Sequence, residues 1–269
     1  MEYRLNAIIN GDIKILKNMR IKILHWNIWF QEKAENIIKV VKELNPDILC
    51  FQEVTIGSKF NNKKDVAKII AKELKYNYNF SEAHKYEFPI TPKGESNYGG
   101  NAIFSRFPIV KNSNFPIINP QDLPDLPYER RTCAVSEIEI NTNKRIKVAT
   151  SHASYNNKFT ENREKIDEIQ KLVDFFKQNN KDLIFSADLN ITPNTKSIKL
   201  IEKVLKHCGP SYEESTWTTK NFDFMGFKED KLKWRIDYVF ATKDIKVISS
   251  NIFKTEYSDH LPILLEIEI

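Results

Sequence analysis

Short apolar runs alternate with amphipathic segments along nearly the whole chain. Runs rich in Ile, Val and Phe predict β-strands, and apolar residues at helical spacing predict helices. The predicted strands are 21–28, 47–52, 101–105, 133–140, 145–151, 182–187, 234–241, 245–249 and 261–268. The predicted helices are 32–44, 64–74, 160–178 with Thr160 as N-cap, and 195–207. This mixture predicts an α/β fold, a four-layer α/β sandwich of two packed mixed β-sheets flanked by helices.

The sequence predicts one domain and, before it, a short segment that does not resemble the rest. Residues 21–269 contain no interdomain linker and are expected to form a single domain, whereas residues 1–20 are an N-terminal extension of unknown role. The segment 106–131 is rich in Pro, Asn and Asp and predicts a long loop, and 211–233 lacks periodicity and carries several aromatic residues. Long loops in compact domains are often functional, so these two segments, with 85–100, are the candidates for substrate selection.

The net charge and the cysteine content indicate which kind of partner and which compartment to expect. Lys and Arg number 41 against 36 Asp and Glu, a net charge of +5. This excess fits a polyanionic partner such as nucleic acid or an anionic membrane surface, although many ordinary proteins are as basic. The cysteines are odd in number, and Cys50 and Cys133 lie inside apolar runs, which predicts buried reduced thiols and a cytoplasmic location. No secretory signal and no transmembrane segment are expected.

Several apolar runs end in polar side chains that bind metals or move protons. They are Asn27, Gln52-Glu53, Ser151-His152 and Asp188-Leu189-Asn190, and to these are added Asp237 inside the strand 234–241 and Asp259-His260 just before the last strand. Each one alone is an ordinary strand-end or turn residue. If the strand ends converge on one edge, however, they build a site rich in oxygen ligands. Such ligands suit Mg²⁺, with Mn²⁺ as a plausible substitute, better than zinc.

A set of short motifs follows a recognisable order. They are Trp-Asn at 26–27, Gln-Glu-Val at 52–54, Gly-Gly-Asn-Ala-Ile-Phe-Ser-Arg at 99–106, Ser-His at 151–152, Asp-Leu-Asn at 188–190, Arg-Ile-Asp-Tyr at 235–238 and Ser-Asp-His at 258–260. Each motif is weak alone, but the ordered set resembles the endonuclease/exonuclease/phosphatase superfamily, which includes exonuclease III, deoxyribonuclease I and neutral sphingomyelinases. The resemblance spans residues 21–269. It departs from the family at Ala187, where glycine usually precedes the Asp-x-Asn motif.

The resemblance implies a Mg²⁺-dependent phosphodiesterase in which water attacks the phosphorus in line. The implied metal ligands are Glu53, Asp259 and Asn27. Of these, Asn27 would contact the metal through a water or orient Glu53. The implied catalytic residues are His152, Asp188, Asn190, Asp237 and His260. The implied substrate-binding residues are Asn101, Arg130, Arg131 and Trp217. The remaining histidines match no motif and are interpreted as structural or surface residues: His25, His84 and His207.

The implied roles divide the reaction among these side chains. Asp188 would align or deprotonate the water while Asn190 holds the water or the phosphate. His260 would donate to a phosphate oxygen, and Asp237 would fix its ring through the other nitrogen. His152 resembles the additional histidine of the deoxyribonuclease I and sphingomyelinase branches.

Two alternatives accompany these roles. In an extended chain Asp188 and Asn190 project to the same side, which suits a shared catalytic role, but the same residues also suit an Asx-turn before the next helix. Either Arg130 or Arg131 could clamp phosphate through its guanidinium, or both could be ordinary loop charges.

The substrate is less constrained than the chemistry. Nucleic acid is the expected substrate and partner, and Thr-Trp-Thr-Thr at 216–219 is similar to a segment in phosphodiesterases that remove tyrosine from DNA 5′ ends. The aromatic residues of 211–233 either stack on bases or pack on one another. A sphingomyelinase-like or inositol-phosphate hydrolase and a non-catalytic binding module are the alternatives. No stable protein partner is implied, and the oligomeric state is left open.

Overall fold

The computed structural model describes residues 19–86, 97–118, 130–224 and 226–269. Within these residues strands and helices are mixed, as the sequence pattern predicts. The helices are α1 (Ala34–Leu44), α2 (Val66–Leu74), α3 (Arg163–Gln178) and α4 (Lys196–Glu202). The strands are β1 (Arg20–Asn27), β2 (Ile48–Ile56), β3 (Asn77–Tyr86), β4 (Asn97–Ser105), β5 (Ile109–Asn112), β6 (Phe115–Ile118), β7 (Arg131–Asn141), β8 (Lys144–His152), β9 (Leu183–Asp188), β10 (Lys206–His207), β11 (Phe222–Phe224), β12 (Phe227–Glu229), β13 (Asp237–Ala241), β14 (Lys246–Ile252) and β15 (Ile263–Glu268).

Two large mixed sheets form the centre of the fold. The first has the strand order β14-β15-β1-β2-β4-β3, and the second has the order β10-β13-β9-β8-β7-β5, with β6 also paired to β7. The β1–β2 and β8–β9 pairs are parallel, and the other ladders of the two sheets are antiparallel. The helices α1 and α3 are the crossovers of these parallel pairs.

Alternating burial along the strands builds three apolar layers. On β1, Ile21 and Ile23 pack between the two sheets. Leu24 and Trp26 point the other way and pack under α1 and α2. The helices α3 and α4 cover the outer face of the second sheet. The order helices, sheet, sheet, helices confirms the predicted four-layer α/β sandwich, because each element buries one apolar face against the next.

Strands that the sequence pattern missed lie in or beside its predicted loops. The prediction of a long loop at 106–131 is wrong in part, since β5, β6 and the first residue of β7 lie there. β3 was missed because the residues it turns toward the other sheet are polar. Asn79 donates to Ser136 Oγ at 3.2 Å, and Ser81 to Thr132 Oγ1 at 3.0 Å. These side chains are satisfied by the facing sheet, which no local pattern reveals.

Several element boundaries differ from the predicted ones for local reasons. Helix α3 is capped by Asn162, whose side chain accepts from Lys165 N, and not by Thr160. Helix α4 ends at Glu202, and 206–207 pair with β13 as β10. Strand β13 begins at Asp237, because the backbone of Trp234 bonds to Trp217 instead of continuing the ladder.

Some sequence predictions fall outside the described residues. Residues 1–18 of the predicted extension lie there, as do 87–96 and 119–129 of the two candidate loops. Within the described residues, 211–233 holds the β11–β12 hairpin. The three cysteines are free and buried, which confirms the prediction that the apolar runs around Cys50 and Cys133 support.

Candidate active site

The ends of strands from both sheets meet at one edge of the sandwich. Asn27 ends β1, and Asp188 ends β9. In the ladders of the second sheet Asp188 stands beside His152 of β8 on one side and Asp237 of β13 on the other. The Asn27 amide donates to Glu53 Oε1 and to Asp188 Oδ2, both at 3.0 Å. Asn27 therefore joins the two sheets at the point where the carboxylates gather.

Glu53 reaches this point through a bulge in β2. The sequence predicts that the strand ends before Glu53, but β2 continues to Ile56, and its pairing with β4 shifts between Phe51 and Val54. Glu53 has a φ of 57°, a left-handed conformation that costs energy for a residue with a Cβ. Its Oε2 accepts from the backbone N–H of Phe30 at 2.9 Å. The bulge re-aims the carboxylate into the pocket, a common use of bulges beside active sites.

Asp237 and His260 form a buried pair. His260 Nδ1 lies 2.9 Å from Asp237 Oδ2. The other ring nitrogen, Nε2, lies 3.7 Å from Asp188 Oδ2 and 4.0 Å from Asp259 Oδ1. Trp26 Nε1 donates to the His260 carbonyl at 2.9 Å, which fixes the backbone before β15. Nε2 of His260 is thus directed to the carboxylate pocket.

His152 and Asn190 lie on the second-sheet side of the pocket. Asn190 Nδ2 lies 2.9 Å from His152 Nε2, which is also 3.3 Å from Asp188 Oδ2. Asn190 has a φ of 49°, and its backbone N–H donates to Asp188 Oδ1. The expectation of an extended Asp188–Asn190 segment is therefore wrong, since an Asx-turn is present. The turn still brings both side chains into the same pocket.

The electrostatics of the pocket follow from its burial and excess of carboxylates. Burial, and next the Asp259 carboxylate, raise the pKa of Glu53. Burial raises the pKa of Asp188 to about 7. Burial opposes ionisation of Asp237 and His260 as well, but their mutual attraction prevails, lowering the pKa of Asp237 and raising that of His260. The pocket therefore concentrates negative charge that a divalent cation would offset.

Ligand atoms of Asp188, Asp237 and His260 lie within 4.8 Å of one another. Both oxygens of Asp237, however, are within 3.0 Å of imidazole nitrogens. Asp237 is also fully buried, whereas the side chains of Glu53 and Asp259 are 20% and 14% exposed, which makes those two the better-placed ligands.

The four residues expected to bind substrate lie in different surroundings. Asn101 is buried in β4 and donates to the Thr132 carbonyl at 2.8 Å. Arg131 is largely buried at the start of β7, and Arg130 is exposed. Trp217 is only 3% exposed, and its indole N–H donates to Asp259 Oδ2 at 3.0 Å. Trp217 therefore presents little ring surface for stacking on a base, and it contacts the site through Asp259 and through the His260 ring, whose centroid is 6.3 Å away.

His25 belongs to the site although the sequence assigned it no role there. It is buried in β1, and its Nε2 lies 3.0 Å from Asp237 Oδ1. The alternation of side chains along β1 could have shown that His25 lies near the site. Ile21, Ile23, His25 and Asn27 share one face, so a polar ring on this face precedes Asn27 directly.

A buried ion pair beneath the pocket holds two of its loops. Lys165 Nζ lies 3.2 Å from Glu168 Oε2, donates to the Leu189 carbonyl at 3.2 Å and also bonds the Ser154 carbonyl. Glu168 accepts from the Ser154 N–H at 2.9 Å and from its hydroxyl at 2.7 Å. The pair thus fixes the chain just after His152 and just after Asp188.

Lys165→Met is expected to lower the free energy of unfolding by about 3–5 kcal/mol, because it leaves the Glu168 carboxylate buried without its partner. Urea denaturation followed by circular dichroism measures the loss. Lys177→Met is the matched control on the same helix, since Lys177 is 56% exposed and its pair with Asp174 lies in solvent. Equal effects of the two substitutions would show that the buried pair does not hold these loops.

The fold and the pocket define a class of enzyme, the phosphoric ester hydrolases built on two packed mixed sheets. The chain belongs to the endonuclease/exonuclease/phosphatase family, whose model matches residues 24–260. Enzymes of this family generally use divalent metals. Comparison with curated proteins finds no match.

Solved structures with the same fold share little sequence with this chain. A family protein from Beutenbergia cavernae is 18% identical, with a TM-score of 0.70, and the match covers 93% of this chain and 72% of that one. ANGEL2, a 2′,3′-cyclic phosphatase, is 14% identical, with a TM-score of 0.68 and coverage of 94% and 96%. The human nocturnin catalytic domain with bound sulfate is 17% identical, with a TM-score of 0.67 and coverage of 92% and 94%.

No helix among the described residues is long and apolar enough to cross a membrane.

Proposed function

We propose that the protein is a Mg²⁺-dependent phosphodiesterase that hydrolyses phosphodiester bonds in nucleic acid. One observation carries the proposal. Asn27 from one sheet bonds both Glu53 and Asp188, so that the carboxylates of two sheets share a pocket with His152 and His260. Oxygen ligands beside two imidazoles supply the groups that metal-assisted phosphate hydrolysis requires.

The side chains fit a divalent cation of the magnesium type. Glu53 and Asp259 would hold it, with Asn27 fixing the Glu53 carboxylate. Trp217 would keep Asp259 in place through its indole N–H. Carboxylate oxygens without cysteine ligands favour Mg²⁺ or Mn²⁺ over softer metals. When bound, the cation offsets charge on the phosphate and on the leaving oxygen.

The protein's own groups would divide the remaining work. Asp188 accepts a proton from the attacking water, or aligns that water, while Asn190 holds the water or a phosphate oxygen. His260 donates from Nε2 to a non-bridging oxygen as negative charge develops there. Asp237 holds the proton on His260 Nδ1 and so keeps the ring in the donating orientation. His152, within 3.3 Å of Asp188, is placed to bind phosphate or protonate the leaving oxygen.

An aromatic surface beside the pocket supports nucleic acid as the substrate. Trp217 packs on Phe159 and Phe222 beneath the β11–β12 hairpin. At the rim, Phe224 is 52% exposed and contacts Tyr155, which follows His152 by three residues along the chain. Phe224 thus presents a half-exposed ring next to the segment that follows His152, which suits a base or another aromatic end group. The net charge of +5 favours a polyanion in the same way.

A panel of substrates tests the proposal. Purified protein with Mg²⁺ is offered nicked and abasic DNA, RNA, a 5′-tyrosyl oligonucleotide, sphingomyelin, inositol phosphates and an aryl phosphodiester. We expect turnover of a nucleic-acid substrate that EDTA abolishes and that Mg²⁺ restores. The Asp188→Asn variant, purified identically, is the control for contaminating nucleases.

Each other outcome of the panel has a distinct meaning. Turnover of sphingomyelin or inositol phosphates alone would replace nucleic acid by the sphingomyelinase-like or inositol-phosphate hydrolase. Turnover of none of the substrates, with Mg²⁺ or Mn²⁺ present, would favour a non-catalytic binding module on this fold.

A further inference from the structure

His25, Asp237 and His260 form a continuous hydrogen-bonded chain beneath the pocket. His25 Nε2 lies 3.0 Å from Asp237 Oδ1, and His260 Nδ1 lies 2.9 Å from Asp237 Oδ2. All three side chains are buried, and that of His25 is 1% exposed. The Asp237 carboxylate is thus held between two imidazoles, one at each oxygen.

The environment of His25 fixes which of its nitrogens carries the proton. Its Nδ1 is buried and has no hydrogen-bond partner among the residues that the structure describes. A buried N–H without an acceptor is costly, and the ionised Asp237 carboxylate can only accept. His25 is therefore the tautomer that carries its proton on Nε2 and donates it to Asp237.

The two imidazoles reach Asp237 from the opposite sheet. Asp237 begins β13 in the second sheet, whereas His25 lies in β1 and His260 precedes β15, both of the first sheet. A carboxylate held by His260 alone could turn about its terminal torsion, which is broad. The second bond, from His25, fixes the plane of the carboxylate and with it the direction of the His260 ring.

We propose that His25 is a positioning residue for phosphoester hydrolysis, which rests on the function proposed above. By donating from Nε2 to Asp237 Oδ1, it sets the carboxylate so that Oδ2 receives the His260 Nδ1 proton. His260 Nε2 then faces the pocket, between Asp188 and Asp259. His25 itself stays buried between the sheets and does not touch the substrate.

Two substitutions distinguish the hydrogen bond that His25 donates from the packing of its ring. Glutamine places an amide N–H where His25 Nε2 lies, whereas leucine fills a similar volume and donates nothing. We expect His25→Leu to lower kcat roughly 10–100-fold, the usual cost of removing such an outer partner, with KM little changed. His25→Gln is expected to retain most of the wild-type kcat. Thermal unfolding of both variants checks that the fold is kept.

A double-mutant cycle with His260 tests the proposed route. If His25 acts through His260, His25→Leu has no further effect on the rate in a His260→Ala background. Equal losses of kcat for His25→Leu and His25→Gln, or full additivity with His260→Ala, would overturn the proposal and leave His25 a packing residue.

A spectroscopic test needs no substrate and therefore separates this inference from the proposed function. The proton that His260 Nδ1 donates to Asp237 should give a far-downfield resonance in the proton NMR spectrum of the full-length protein. We expect His25→Leu to broaden or shift this resonance and His25→Gln to preserve it. An unchanged resonance in His25→Leu would refute the positioning role even if the enzyme proved fully active.

Discussion

The Asp188→Asn variant is expected to lose about a hundredfold or more in kcat, with KM little changed. Asp188 lies at the centre of the pocket. Its Oδ2 accepts a hydrogen bond from the Asn27 amide. The same oxygen lies 3.3 Å from His152 Nε2 and 3.7 Å from His260 Nε2. Asparagine has the same shape but cannot take a proton from water, so only the chemical step should suffer. Steady-state kinetics on the best substrate of the panel measures the loss.

The same substitution should stabilise the metal-free protein at high pH. Burial raises the pKa of Asp188 to about 7, whereas an Asp in the unfolded chain titrates near 3.9. The stability that this group contributes is therefore fully present below about pH 4 and is lost as the pH rises through about 7. Asparagine never ionises, so its advantage over wild type in EDTA should grow between about pH 5 and about pH 8. Urea denaturation at both values measures it.

Asp174→Asn is the matched control, since Asp174 lies on α3 with its carboxylate 55% exposed. We expect wild-type kcat from it. If Asp188→Asn kept its rate within a few-fold of this control while folding normally, Asp188 would have no part in activating water.

The convergence of the strand ends could be expected from the two strand–helix–strand units that the sequence predicts. Parallel strands joined by one helix must end at the same edge, so Asn27 and Glu53 from one pair and His152 and Asp188 from the other approach one another. The bond between Asn27 Nδ2 and Asp188 Oδ2 confirms this meeting. The three apolar layers follow from the alternation of buried residues along the strands.

The parts of the site that could not be predicted from the sequence depend on contacts between segments that are distant along the chain. The bulge that turns Glu53 inward arises from a register shift against β4, and the sequence around it reads as an ordinary strand end. For the aromatic segment that holds Trp217, the sequence left stacking on bases and packing within the loop as open alternatives. The burial of Trp217 becomes visible only when Phe159, Phe222 and Phe227 close around it.

His25 illustrates the same limit. Its position on β1 could be inferred from alternation, but its acceptor, Asp237, is 212 residues away along the chain. A histidine on an apolar face is usually a satisfied core residue. Here the acceptor is Asp237, which also orients His260. The hydrogen bond that satisfies His25 in the core is therefore also part of the site.

Glu53→Gln is expected to weaken binding of the catalytic cation by at least roughly tenfold and to lower kcat about a hundredfold. The substitution removes the ligand charge and also the oxygen that accepts from the Asn27 amide. A glutamine carbonyl can still accept from the Phe30 N–H, so the left-handed bulge is retained, whereas its amide N–H₂ faces that of Asn27. The dependence of the rate on Mg²⁺ and direct titration with Mn²⁺ measure the two effects separately.

Glu73→Gln serves as the control, because Glu73 lies on α2 with its carboxylate 54% exposed. It should bind Mn²⁺ as wild type does. Unchanged Mn²⁺ affinity in Glu53→Gln would show that the cation binds instead to the ligand atoms of Asp188, Asp237 and His260. Asp237 would then have to release one of its two imidazole partners when the metal binds, and the His25→Leu variant would bind Mn²⁺ more tightly than wild type. The two ligand assignments therefore predict opposite behaviour for variants at Glu53 and His25.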